Sequence, residues 1–148
     1  MNLLKKRYIW IFACIIFTWF IFGRSLQDAA DSSAESSVLA EIYSRIYEFI
    51  FSEIPENPVG VVRKFAHVAE YAIHGMLLCG VFSTFKGGVK GNISNIMFFG
   101  LLTACTDEFV QLSSQGRAGL VTDIFIDFSG TLSGIIIIFI FCNLNKQK

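Results

Sequence analysis

Ten ionisable or amide side chains fall in three short stretches of the sequence and could do chemistry together. They are Arg63, Lys64, His67, Glu70, Asp107, Glu108, Gln111, Arg117, Asp123 and Asp127. Arg63, His67 and Glu70 are spaced at i, i+4 and i+7, which places them on one face of a helix. Asp123 and Asp127 share the i, i+4 spacing. Carboxylates, a histidine and basic groups in one place could bind a charged headgroup, hold a metal ion or transfer a proton.

Some of these side chains are of the types that bind metals. Carboxylate oxygens and imidazole nitrogens are ligands of divalent cations in proteins. The candidate ligands are His67, Glu70, Glu108 and Asp123, within a wider cluster that also includes Asp107 and Asp127. The sequence has no HExxH motif and no nucleophile signature, which are the usual marks of a metal hydrolase or a covalent enzyme. We therefore predict no cofactor, keep a divalent metal as an alternative, and leave any catalytic residues unassigned.

Long apolar blocks surround the polar residues. The chain has 148 residues, is 53% hydrophobic and contains 16 Phe, more apolar surface than a soluble domain of this size can bury. The blocks predict four membrane-spanning helices over residues 8–23, 65–85, 93–112 and 123–142, within a single domain over residues 1–148. The predicted fold class is an all-α integral membrane protein with a four-helix bundle. The net charge of zero gives no indication of nucleic-acid binding.

The first apolar block has two interpretations. It follows a basic start and is short for a span, which is also the layout of a signal peptide. Cleavage after Ala29 or Ala30 would place a glutamine or an aspartate at the −3 position, where a small residue is needed. The retained span is therefore favoured.

Basic residues predict the orientation in the membrane. With the N-terminus inside, the cytoplasmic segments contain seven basic residues and no acidic one: Lys5, Lys6, Arg7, Lys86, Lys90, Lys146 and Lys148. The positive-inside rule then places both termini in the cytoplasm. The ten polar residues would lie at the external end of the bundle.

The predicted external loop, residues 24–62, has two parts. Residues 28–37 are polar and predicted to be flexible. From Val38 to Ile50, apolar residues recur at steps of three and four, which predicts an amphipathic helix. We expect this helix to lie on the outer membrane surface or to cap the bundle.

Gly130 and Gly134 in the last span predict a close helix contact. Small residues four positions apart allow a second helix backbone to approach closely. We expect the partner helix within the chain, with a dimer face as the alternative.

Three sequence blocks resemble the VanZ-like family, which is named for a teicoplanin-resistance protein. Residues 63–71, RKFAHVAEY, resemble its R-K-x-x-H-x-x-E-Y block, and residues 107–111, DEFVQ, resemble its D-E-x-x-Q block. Residues 116–130 resemble its G-R-x-x-x-x-x-D-x-x-x-D/N-x-x-G block. Residues 22–25, FGRS, are similar to a polar motif that ends the first helix. The resemblance implies a multi-pass bacterial cell-membrane protein connected with glycopeptide susceptibility.

Two function classes compete. The favoured one is a binding protein whose outward-facing polar cavity engages a lipid-linked cell-wall precursor or another envelope ligand, since Arg63, Lys64 and Arg117 suit an anionic phosphate. The alternative is a membrane-embedded carboxylate/histidine enzyme, with or without a metal, acting on a lipid or glycan headgroup. Transport is disfavoured by four short spans without a detectable repeat.

Overall fold

The structure, a computed structural model, describes residues 2–27, 29–114 and 119–144, with residues 29–35 described as backbone only. These residues form helices and no strands. The helices are α1 (Leu3–Ser25), α2 (Ala29–Phe51), α3 (Pro58–Phe82), α4 (Gly88–Gly91), α5 (Ile93–Gln111) and α6 (Val121–Leu144).

Four helices, α1, α3, α5 and α6, are long and apolar enough to cross a membrane. The predicted fold class, all-α with four membrane-spanning helices, is confirmed. The largest difference is at α3, which begins at Pro58 although the apolar block was predicted from residue 65. Asn57 explains the earlier start, because its side-chain oxygen accepts a hydrogen bond from the Gly60 amide at 2.9 Å. Proline at the first helical position is also favourable.

The surface of the bundle is apolar and its interior contains polar side chains. Trp19 is 73% exposed and Phe125 is 66% exposed, whereas Asp107 and Asp127 are 0% and 1% exposed. Polar groups gathered inside and aromatic groups turned outward are what a lipid environment requires. Composition and burial together therefore indicate a multi-pass membrane protein.

Helices α3 and α6 form the most extensive contact and run parallel. A Cβ atom added at Gly130 would lie 2.5 Å from the Val68 carbonyl oxygen, and one added at Gly134 would overlap the Ala72 carbonyl. Because Gly130 and Gly134 have no side chains, the backbones of α6 and α3 can touch at these positions. The glycine pair makes its close contact within the chain, as expected.

Different contacts hold the helices together at the two ends of the bundle. At one end, Arg7 of α1 donates from Nη2 to the Thr84 carbonyl at 2.7 Å, and its guanidinium carbon lies 4.1 Å from the centroid of the Phe85 ring. At the other end, the Ser114 hydroxyl donates to the Ser25 carbonyl at 2.9 Å, which joins the ends of α1 and α5. The N-terminal end of α1 therefore meets the C-terminal end of α3, so these two helices are antiparallel.

Helix α2 corrects one prediction. Residues 28–37 were predicted to be flexible, but α2 already begins at Ala29. Alanines early in the segment have high helix propensity, and α2 packs on α3 with Ser36 and Ala40 buried. Its valine, leucine and isoleucine side chains are exposed, and Phe49 is 89% exposed. A position on the outer membrane surface stays a prediction.

Candidate functional site

Polar side chains from four helices meet at the Ser25 end of the bundle. We call this set the polar cluster. Its members are Arg24 on α1; Lys64, His67 and Glu70 on α3; Asp107, Glu108 and Gln111 on α5; and Asp123 and Asp127 on α6. Of the two other predicted site residues, Arg63 is half-buried on α3 and Arg117 lies outside the described residues.

The innermost members are His67, Asp107 and Asp127, which we call the inner triad. His67 Nδ1 lies 3.3 Å from Asp127 Oδ1. The triad offers one potential ligand atom from each residue, and these three atoms all lie within 4.8 Å of one another. The His67 side chain is 19% exposed and Asp127 is 1% exposed. Three separate helices thus place an imidazole and two carboxylates in one buried location.

The inner triad has acceptor capacity that the described residues do not use. Asp107 Oδ2 accepts a hydrogen bond from Gln111 Nε2 at 3.3 Å. Asp127 Oδ2 is buried without a hydrogen-bond partner among the described residues, and Asp107 Oδ1 is buried there without a close hydrogen bond, with the Ser25 and Tyr71 hydroxyls near Asp107. A buried polar atom without a partner costs free energy. These atoms could therefore accept a proton, a ligand donor or a cation.

Two ion pairs lie toward the rim of the polar cluster. Arg24 Nε is 3.4 Å from Glu70 Oε1, and Lys64 Nζ is 3.7 Å from Asp123 Oδ1. The Lys64 side chain is 53% exposed and the Glu70 side chain is 16% exposed. Sequence reasoning did not include Arg24 among the site residues. The signal that could have found it is the FGRS motif, which ends the first span.

Glu108 links the C-terminal part of α5 to the residue just before α6. Its Oε2 accepts a hydrogen bond from the Leu120 amide at 2.9 Å, just before α6 begins. Glu108 was a possible metal ligand together with Glu70 and Asp123. Each of these three has the partner described above, and none belongs to the inner triad. From the wider cluster of possible ligands, the structure brings Asp107 and Asp127 to His67.

The α3–α6 contact is what positions the inner triad. His67 and Asp127 lie one turn or less before Val68 and Gly130, the pair that touches backbone to backbone. An added Cβ at Gly130 would also lie 2.8 Å from Tyr71 Cβ. Because the backbones are this close, short side chains such as aspartate reach the neighbouring helix. Helix α5 then contributes Asp107 from the other side.

This arrangement suits two kinds of chemistry. Two carboxylates and an imidazole can bind a divalent cation. A histidine held by a carboxylate can also act as an oriented general base. The rim pairs add basic and acidic groups that can exchange partners with a charged ligand.

Comparison with known proteins assigns the family. No curated protein and no solved structure matches the chain significantly. The VanZ/LLP1 family model matches residues 10–142, a range that contains the whole polar cluster. That range covers most of the sequence, and the chain therefore belongs to the VanZ/LLP1 family.

Proposed function

We propose that this VanZ-like bacterial membrane protein binds the headgroup of a lipid-linked cell-wall precursor in its polar cluster, and thereby lowers susceptibility to glycopeptides such as teicoplanin. The supporting observation is the convergence of polar side chains from α1, α3, α5 and α6 at one end of an otherwise apolar bundle. Ionisable groups within spans are costly and are retained mainly where they have a function.

The rim of the polar cluster suits a pyrophosphate joined to a sugar. Arg24 and Lys64 can bind phosphate oxygens, while Glu70 and Asp123 can accept hydrogen bonds from sugar hydroxyls. An exposed pair such as Lys64–Asp123 contributes only about 0–1 kcal/mol to stability, so a ligand can replace it at low cost. The positive-inside rule directs this end of the bundle to the external side, where precursor headgroups are displayed.

An enzyme acting on a lipid or glycan headgroup is the second candidate. The observation that favours it is the His67–Asp127 contact of 3.3 Å, which could orient the imidazole for proton transfer. A binding protein would return its ligand unchanged, whereas an enzyme would release a product of different mass.

Binding can be tested with the purified chain in lipid nanodiscs. We expect a polyprenyl-pyrophosphoryl disaccharide to bind saturably, and His67→Ala and Asp123→Asn to weaken binding at least about tenfold. Asp123→Asn should unfold in detergent near the wild-type temperature, because its exposed pair with Lys64 contributes little to stability. Lys90→Gln, exposed at the opposite end, is the control and should bind as the wild type.

The same variants should be expressed in a glycopeptide-sensitive bacterium. Wild type and Lys90→Gln should raise the inhibitory concentration of teicoplanin, and His67→Ala should not. Mass spectrometry of the recovered ligand separates binding from catalysis. Wild-type protein that neither binds the precursor nor changes susceptibility would refute the proposal, as would equal binding by all variants.

A further inference from the structure

Among the described residues, little positive charge opposes the two buried carboxylates of the inner triad. Asp107 and Asp127 are 0% and 1% exposed. Two basic side chains of the polar cluster are already paired, Arg24 with Glu70 and Lys64 with Asp123. Within the described part of the chain, His67 is the only basic side chain in contact with either aspartate of the triad. Two carboxylates in a region of low dielectric require a cation, or protons, to compensate them.

The geometry points to a cation. The three potential ligand atoms lie within 4.8 Å of one another. In a tetrahedral site, two ligand atoms that are each about 2.1 Å from one ion lie about 3.4 Å apart. A pair 4.8 Å apart would therefore have to close by about 1.4 Å, which is less than about one ångström for each side chain. The separation of 3.3 Å between His67 Nδ1 and Asp127 Oδ1 already suits adjacent ligands.

Independent observations support a ligand at this point. Asp127 Oδ2 is buried and has no hydrogen-bond partner among the described residues, so it can still donate a lone pair. Asp107 Oδ1 is buried without a close hydrogen bond in the same part of the chain, and the Ser25 and Tyr71 hydroxyls lie near Asp107. A buried acceptor without a partner calls for an explanation, and a bound ion is one of the standard ones.

We propose that His67, Asp107 and Asp127 form a binding site for one divalent transition-metal ion. One imidazole nitrogen with two carboxylate oxygens suits Zn²⁺ or Mn²⁺ better than Mg²⁺ or Ca²⁺, which prefer oxygen ligands alone. Three protein ligands leave coordination positions open for water or an oxygen of a headgroup. The proposed metal site consists of these three residues, and it could exist whether or not the polar cluster binds a headgroup.

The test uses the full chain, purified without a histidine tag in detergent, treated with a chelator and dialysed. Isothermal titration with Zn²⁺ and, separately, Mn²⁺ should show saturable binding of about one ion per chain for at least one metal. The same metal should raise the unfolding temperature, because an ion that binds the native state stabilises it.

Substitutions locate the site. Asp107→Asn and Asp127→Asn should each weaken metal affinity at least about tenfold, since even outer-shell changes commonly cost about 10–100-fold. Glu108→Gln is the matched control: it removes a buried carboxylate next in sequence to Asp107, but keeps an oxygen that can accept the Leu120 amide. Its metal affinity should fall less than that of either aspartate variant, because Glu108 provides no ligand atom to the triad.

Several results would overturn the inference. One is a wild-type chain that binds neither ion saturably, which would mean that protons compensate the aspartates. Another is a Glu108→Gln variant that loses as much affinity as Asp127→Asn. If an aspartate variant fails to accumulate, His67→Gln provides the second test. Unchanged affinity in that variant would exclude the triad.

Discussion

At the scale of single residues, the polar cluster contains pairs that differ in burial. Glu70 is 16% exposed in its side chain, whereas Lys64 at the rim is 53% exposed. An ion pair that is partly removed from solvent depends strongly on both partners, since loss of one leaves the other charge uncompensated. An exposed pair is screened by water and contributes little. The Arg24–Glu70 and Lys64–Asp123 pairs have similar N···O distances, but we expect the less exposed pair to contribute more to stability.

The Arg24–Glu70 pair provides a test of this difference. Arg24→Gln should lower the free energy of unfolding by about 1–3 kcal/mol, because it leaves the Glu70 carboxylate without this partner. The double variant Arg24→Gln/Glu70→Gln should recover part of the loss. Thermal unfolding in detergent and accumulation in the membrane are the measurements.

Lys64→Gln and Asp123→Asn form the matched cycle for the exposed pair. Each should change stability by less than about 1 kcal/mol, and the two changes should add. Equal coupling in the two pairs would show that burial does not control their strength.

At the scale of helices, the parallel contact between α3 and α6 holds the site together. Gly75 on α3 also takes part, since an added Cβ there would lie 2.5 Å from the Thr131 carbonyl. Without a hydrophobic driving force in lipid, helices associate through close packing and polar contacts. The small residues on these two helices allow such packing over several turns.

Gly130→Ala tests this contact. The new methyl group would collide with backbone atoms of α3, which cannot move aside as a side chain could, so unfolding should become easier by about 1–3 kcal/mol. Metal affinity and precursor binding should also fall, because His67 and Asp127 would separate. Unfolding temperature and ligand titration report the two effects.

Gly23→Ala on α1 is the control for Gly130→Ala. Nothing lies within 4 Å of a Cβ added at Gly23. Stability should be unchanged or up to about 1 kcal/mol higher, because alanine favours the helix more than glycine does. Similar losses at both positions would contradict a specific role for the α3–α6 contact.

At the scale of the whole molecule, charge and polarity are distributed along the bundle axis. The polar cluster occupies the end marked by Ser25 and Ser114, and Arg7 lies at the end marked by Thr84. A membrane-spanning bundle with this arrangement has two chemically different ends. The polar cluster can meet cell-wall precursors only if its end lies on the external side of the membrane.

Single cysteines test the orientation in a background without the four native cysteines. Lys90→Cys and Ser113→Cys introduce thiols at exposed positions at opposite ends of α5. A membrane-impermeant maleimide added to intact cells should label position 113 and leave position 90 unlabelled, because the positive-inside rule places the lysine-rich link in the cytoplasm.

Permeabilised cells are the control for this labelling, and both positions should then react. Selective labelling at position 90 in intact cells would show that the chain has the opposite orientation in the membrane. The polar cluster would then face the cytoplasm, and the proposal of an external ligand would be excluded.

The sequence by itself determined the four spans and most of the polar residues from which the cluster is built. Apolar blocks of sufficient length leave few alternatives, because backbone groups in lipid must be satisfied within a helix. The alternation of direction in successive spans also brings the polar stretches of α3, α5 and α6 to one end. Gly130 and Gly134 indicated a close contact, although not which helix would fill it.

The tertiary structure decided which polar side chains meet. Asp107 and Glu108 are neighbours in sequence and both are buried, yet only Asp107 joins His67 and Asp127, while Glu108 binds the Leu120 amide. Neither helical periodicity nor residue type distinguishes two adjacent carboxylates. Their roles depend on the rotation of α5 against α3 and α6, and packing between helices that are distant in sequence sets that rotation. Arg24 became part of the site for the same reason, because only the packed bundle brings the end of α1 to Glu70.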